Sequence, residues 1–61
     1  MIVVIATLEV DEEVTKQVHV PIEMNITKLP PTKKEKEVIT KTIEEKEHLK
    51  VLSIDSITWN E

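Results

Sequence analysis

The chain is 61 residues long with a net charge of −4, from 8 lysines, no arginine and 12 acidic residues, and it contains neither cysteine nor glycine. At this length there is one domain at most, burying only about 60% of its extended surface, and without cysteine there is no disulfide staple, thiolate nucleophile or thiolate metal ligand. Without glycine, the phosphate-cradling loop and the dinucleotide fingerprint are both excluded, since each needs backbone conformations that a Cβ obstructs.

With 39% hydrophobic and 33% charged residues, the composition is that of a folded domain rather than a disordered chain. The one continuous apolar run, Met1 to Ala6, is far short of the ~20 residues a membrane span needs. Glu9 and Asp11 follow it closely and no lysine precedes it, unlike a secretory signal. The expectation is a protein that starts at Met1, makes no membrane contact and works in the cytoplasm.

Ile2 to Val10 reads as the first strand. Its even positions, Ile2, Val4, Ala6, Leu8 and Val10, are all apolar, and side chains two apart share a face of a strand. Val14 to Ile26 repeats the pattern: of its even positions only Lys16 is polar, and no odd position holds a large aliphatic. Pairing Val10 with Val14 keeps the two apolar sets together and sets Leu8 opposite Lys16, Ala6 opposite Val18, Val4 opposite Val20 and Ile2 opposite Ile22. Asp11, Glu12 and Glu13 are then the loop of a hairpin spanning residues 2–27. A three-residue hairpin loop favours glycine at its left-handed position, and this chain has none. Pro21 cannot donate to a ladder, so it belongs on an edge or at a bulge. Val3 and Ile5 fall on the face opposite Val4, where a solvated strand is polar. The first strand is therefore either central and covered on both sides, or covered by a second subunit. The second account suits so small a chain better, and it makes Val3 and Ile5 the candidate dimer interface.

A proline-containing linker, residues 28–32, breaks regular structure at Leu29-Pro30-Pro31. The next segment, residues 33–47, is ambiguous. Thr32 followed by Glu35 fits a capping box, and Val38, Ile39, Thr42 and Ile43 form one helical stripe, both arguing for a helix. Val38 to Ile43 nevertheless has five β-branched residues in six, which suits a strand in a second hairpin. The capping box and the lack of turn residues at 44–48 favour the helix. Residues 49–59 read as a final strand in which Leu52 and Ile54 share one face and Ile57 and Trp59 the other phase, with a bulge at Asp55-Ser56. Trp59, the one aromatic residue, fits a core plug or part of a dimer interface, with an exposed partner-binding anchor as the sharper alternative.

Catalytic and metal constellations do not emerge. Glu44 and His48 are one helical turn apart, but no zinc pattern surrounds them, and His19 lies on the polar strand face. Ser53 and Ser56 lack a glycine-built elbow, while the pairs Glu12/Glu13 and Glu44/Glu45 read as solvated charges. No enzyme, metal or cofactor is expected.

Charge placement points instead to a protein partner. Residues 1–27 hold five acidic side chains against Lys16 alone, whereas residues 28–50 hold seven lysines against five glutamates. Glu9, Asp11, Glu12 and Glu13 at the hairpin tip, with Trp59, are the candidate partner contacts, the carboxylates being suited to a basic groove. Nucleic-acid binding is disfavoured by the acidic balance and by the absence of arginine for bidentate base contacts. It survives as the alternative of a small dimeric regulator using Lys28, Lys33, Lys34 and Lys36 on phosphates.

The absence of glycine and arginine, with one alanine, fits an AT-rich genome such as that of a low-GC bacterium or its phages. In size and acidity the chain resembles the small accessory proteins that such phages carry. The sequence therefore predicts an α+β domain of order β-β-α-β, with an antiparallel sheet extended across a homodimer (the alternative being all-β, two hairpins). The expected role is a non-enzymatic, phage-encoded inhibitor that blocks a host enzyme or defence complex by steric occlusion, with a structural subunit of a phage particle as a further alternative.

Overall fold

The alternation of apolar side chains in the first half of the chain builds a long hairpin in the computed structural model, which describes residues 1–59. β1 runs over Ile2–Asp11 and β2 over Val14–Ile22. They pair antiparallel with Ile2 opposite Ile22, Val4 opposite Val20, Ala6 opposite Val18 and Leu8 opposite Lys16, the register that keeps both apolar sets on one face.

The turn departs from the simple pairing. Glu9 pairs with Thr15 but Asp11 with Val14, so Val10 falls in a register shift, and the expected match of Val10 with Val14 is not made. Glu13 takes the left-handed conformation at φ 63°, filling the position for which glycine is the usual choice. The physical reason is local: a short loop still needs one residue of positive φ, and the strand absorbs the mismatch as a bulge. β2 also stops at Ile22 rather than continuing to residue 26.

Residues 33–47 are helical. α1 spans Lys33–Glu47, and its caps explain how it forms despite its β-branched run. Thr32 Oγ1 accepts the Glu35 amide at 3.2 Å, and Glu35 Oε1 accepts the Thr32 amide at 2.8 Å. Thr40 and Thr42 donate their hydroxyls to the Lys36 and Val38 carbonyls at 2.9 and 2.7 Å, so their polar atoms are satisfied inside the helix. At the other end His48 adopts φ 58° and its amide reaches the Glu44 carbonyl at 2.8 Å. Ile39 and Ile43, one turn apart, are fully buried. Val38, expected on the same stripe, points away from the sheet and is 51% exposed.

β3, Lys50–Trp59, returns on the other side of β1, so the sheet order is β2-β1-β3 with every neighbouring pair antiparallel. Two register shifts interrupt its pairing with β1. Ile5 faces Ser56 and Ala6 faces Ile54, which leaves Asp55 as the extra residue; Thr7 faces Ser53 and Leu8 faces Val51, which leaves Leu52. Each bulge switches the strand's phase once. Val51, Ile54 and Ile57 consequently all pack against the core although they are spaced by three, and Leu52, expected to share a face with Ile54, is the extra residue of its bulge and 48% exposed.

The core lies between the sheet and α1. Ile2, Val4, Ala6 and Leu8 of β1 are fully buried beside Val20, Ile22, Ile26, Ile39 and Ile43. Lys16, the exception in β2's apolar series, sits opposite Leu8 and extends to Glu47 at the end of α1, Nζ to Oε1 3.4 Å. The helix therefore runs from the Ile2 end of the sheet toward the hairpin tip. Ten residues of β1 extend about 34 Å, whereas fifteen helical residues extend about 22 Å. The hairpin tip thus projects beyond α1 in a molecule whose longest dimension is 36 Å. No helix among the described residues is long and apolar enough to cross a membrane.

Candidate functional site

Three surfaces carry the side chains singled out above, and the fold keeps them apart. The first is the hairpin tip. Asp11, Glu12 and Glu13 are exposed there, and Asp11 Oδ1 accepts the Glu12 amide at 2.8 Å. Glu9 is set back from them, half-buried on the sheet face turned away from α1, between Thr15 and Lys50 in the register. The carboxylates of residues 11–13 form one compact anionic knob; Glu9 lies beside a lysine position and does not extend it.

The second surface is the sheet face turned away from α1. Val3 and Ile5 sit on the central strand, opposite Pro21 and His19 on one side and Thr58 and Ser56 on the other. Both are only half-buried, in contrast to the fully buried Ile2 and Val4 beside them. Farther toward the tip the face becomes polar. Asp55, pushed out by its bulge, accepts three side-chain hydrogen bonds: Thr7 Oγ1 at 2.6 Å and Gln17 Nε2 at 3.2 Å to Oδ2, and Ser53 Oγ at 2.8 Å to Oδ1. The Thr7 hydroxyl contributes most, followed by Ser53 and Gln17, in holding the carboxyl below the ordinary aspartate range. One carboxylate thus links all three strands. The sequence reading missed this cluster, although an aspartate at a phase change in an apolar strand was a signal for it.

The third surface is the end of the molecule where the helix begins. Trp59 lies opposite Ile2, 55% exposed, with Nε1 donating to the Ile26 carbonyl at 2.9 Å. The core-plug expectation is therefore corrected: Ile2, Ile22 and Ile26 already fill that end of the core, and the indole lies over its rim. Lys28, Lys33, Lys34 and Lys36 are exposed near the same end, and a shallow depression beside the helix is lined by Lys33, Lys36, Glu37, Thr40, Lys41 and Glu44. Trp59 and the acidic knob are separated by the length of β1, roughly 30 Å, so one small contact patch cannot include both.

Other candidates have structural positions. His19 is on the face turned away from α1 whereas His48 caps the helix, so the fold does not gather them. No group of three His, Cys, Asp or Glu side chains suited to a metal occurs among the described residues. Glu44, expected to be solvated, is partly buried, and its Oε2 accepts the Val51 amide at 3.0 Å. It ties α1 to the edge of β3 at the second bulge.

The fold and these surfaces define a small α+β domain: a three-stranded antiparallel sheet with one helix on one face. Compared with protein-family models, curated proteins and solved structures, the chain matches none.

Proposed function

We propose that the chain is a non-enzymatic protein-binding module that works as a homodimer, its sheet continued across the twofold axis. In concrete form it is a phage-encoded inhibitor that antagonises a host enzyme or defence complex in the host cytoplasm by steric occlusion. The observation that carries this reading is the central strand's uneven cover: Ile2 and Val4 are fully buried under α1, while Val3 and Ile5 on the reverse face are half-buried. An apolar pair on the middle strand of a sheet is a natural contact for a second protein surface. The projecting knob of Asp11, Glu12 and Glu13 adds charge suited to a basic groove and to rapid encounter.

The test is comparative affinity capture from a low-GC bacterial host. The wild-type chain is expected to retain a defined protein, and Asp11→Asn/Glu12→Gln/Glu13→Gln or Val3→Lys/Ile5→Lys to lose it while keeping the fold. Equal retention by all three, or by none, contradicts the proposal. The exposed lysines around the start of α1 favour a second reading, a dimeric regulator contacting phosphates through Lys28, Lys33, Lys34 and Lys36. Duplex binding that weakens steeply with salt would support it, and no binding at low salt removes it.

A further inference from the structure

The two edges of the sheet are unequal. β3 carries two bulges, at Asp55 and Leu52, and its Val51 amide is already taken by Glu44. Bulges and a covering side chain are the usual means of closing an edge to other strands. β2 is different: from Thr15 to Ile22 its pairing with β1 runs without a register shift. Lys16, the side chain best suited to guarding that edge, is drawn toward Glu47.

Pro21 indicates which backbone groups β2 presents. It sits in the ladder opposite Val3, a position a proline tolerates when its nitrogen faces away from the neighbouring strand. Alternation along the strand then turns the N–H and C=O groups of Thr15, Gln17 and His19 outward as well. These three residues form a symmetric set centred on Gln17, bounded by left-handed Glu13 on one side and by Pro21 on the other.

We infer that β2 is the dimer edge, pairing antiparallel with β2 of a second copy about a twofold axis at Gln17. In this register Gln17 faces Gln17 of the second copy, Thr15 faces His19, and Val14 faces Val20. Residues with outward groups meet residues with outward groups, at Gln17 with Gln17 and Thr15 with His19, the pairs between them being non-hydrogen-bonded, and Pro21 falls opposite Glu13, beyond the last ladder bond. Moving the axis to Val18 would set Pro21 against Thr15 and lose a hydrogen bond. The pairing also covers Val14, now 51% exposed. A partner other than an identical strand has no reason to match both boundaries.

The inference rests on the homodimer reading and gives it a consequence. Three strands about 4.8 Å apart and about 30 Å long present roughly 430 Å² on the face turned away from α1. Two copies joined at β2 present a continuous face of roughly 850 Å², close to the ~800 Å² per partner of a standard protein interface. The Val3 and Ile5 pairs then lie on one six-stranded surface.

The experiment combines sedimentation of the full chain with residue-resolved amide hydrogen exchange at micromolar and millimolar concentration. The expected result is twice the 7.0 kDa chain mass at high concentration, with the Thr15, Gln17 and His19 amides protected there and losing protection on dilution. His19→Pro, which removes one outward donor and leaves the β1 ladder intact, is expected to sediment as a monomer with an unchanged circular dichroism spectrum. A dimer whose three amides exchange freely, or a dimeric His19→Pro, overturns the β2 edge while the homodimer stands. A monomer at every concentration overturns both.

Discussion

A chain without glycine must still make turns, and it does so by forcing two ordinary residues into the left-handed region, Glu13 at φ 63° and His48 at φ 58°. For a residue with a Cβ this conformation costs about 1–2 kcal/mol. Glycine removes that cost but adds unfolded-state freedom worth roughly 0.5–1 kcal/mol. His48→Gly is therefore expected to stabilise the fold by about 0.5–1 kcal/mol. The His48 amide bond to the Glu44 carbonyl is a backbone interaction that the substitution retains, which makes this the cleaner site. At about 2.1 cal/mol/K per residue, the unfolding entropy of so short a chain turns that gain into a rise in melting temperature of roughly 4–8 °C. Thermal denaturation followed by circular dichroism at fixed protein concentration reads it directly. Glu13→Gly should act in the same direction, and because the two sites lie in different turns their effects should add. A melting temperature that falls in His48→Gly would refute the argument, showing that the helix ends without a left-handed residue.

Three further outcomes follow from the packing. Ile39→Ala empties a fully buried position at a cost of about 2–5 kcal/mol, against a total of roughly 3–9 kcal/mol for a chain of this length; chemical denaturation should find it marginal or unfolded at 25 °C, and a loss under 1 kcal/mol would contradict the assigned core. Glu44→Ala strands the Val51 amide and should destabilise by about 1–3 kcal/mol, whereas Glu44→Gln keeps an acceptor and should lose less; equal losses would mean that the bond to β3 carries no weight. Asp55 has its carboxyl pKa lowered by Thr7, Ser53 and Gln17, so its contribution is complete above the unfolded value, near pH 4, and disappears as the pH falls through the folded one. Urea denaturation should accordingly show wild type more stable than Asp55→Asn at pH 7, with the difference shrinking below about pH 4; a constant difference would contradict the sign.

Periodicity made the hairpin legible, because one slip of register would have exposed Ile2, Val4, Ala6 and Leu8 together. The capping box likewise located the start of α1, where β-branched content alone pointed to a strand. Less was visible where structure depends on compensation between distant residues. The Asp55 bulge left a phase change in the sequence, but the second bulge at Leu52 was hidden because only the pairing of β1 with β3 defines it. Lys16 looked like a break in an apolar series and is explained by Glu47, 31 positions away in sequence. Glu44 looked solvated because nothing local marks the Val51 amide as its donor. The candidate surface residues could be named from the sequence, yet their separation could not. The strand order places Trp59 and the acidic knob at opposite ends, and it places Val3 and Ile5 on a face of their own.

Sedimentation equilibrium of the purified chain, from micromolar to millimolar concentration, bears most directly on the claim that the chain works as a homodimer whose sheet continues across the twofold axis. Self-association toward twice the 7.0 kDa chain mass is the predicted result. A concentration-independent mass of one chain would contradict it, and with it the continuous six-stranded face on which the Val3 and Ile5 pairs of two copies would lie together.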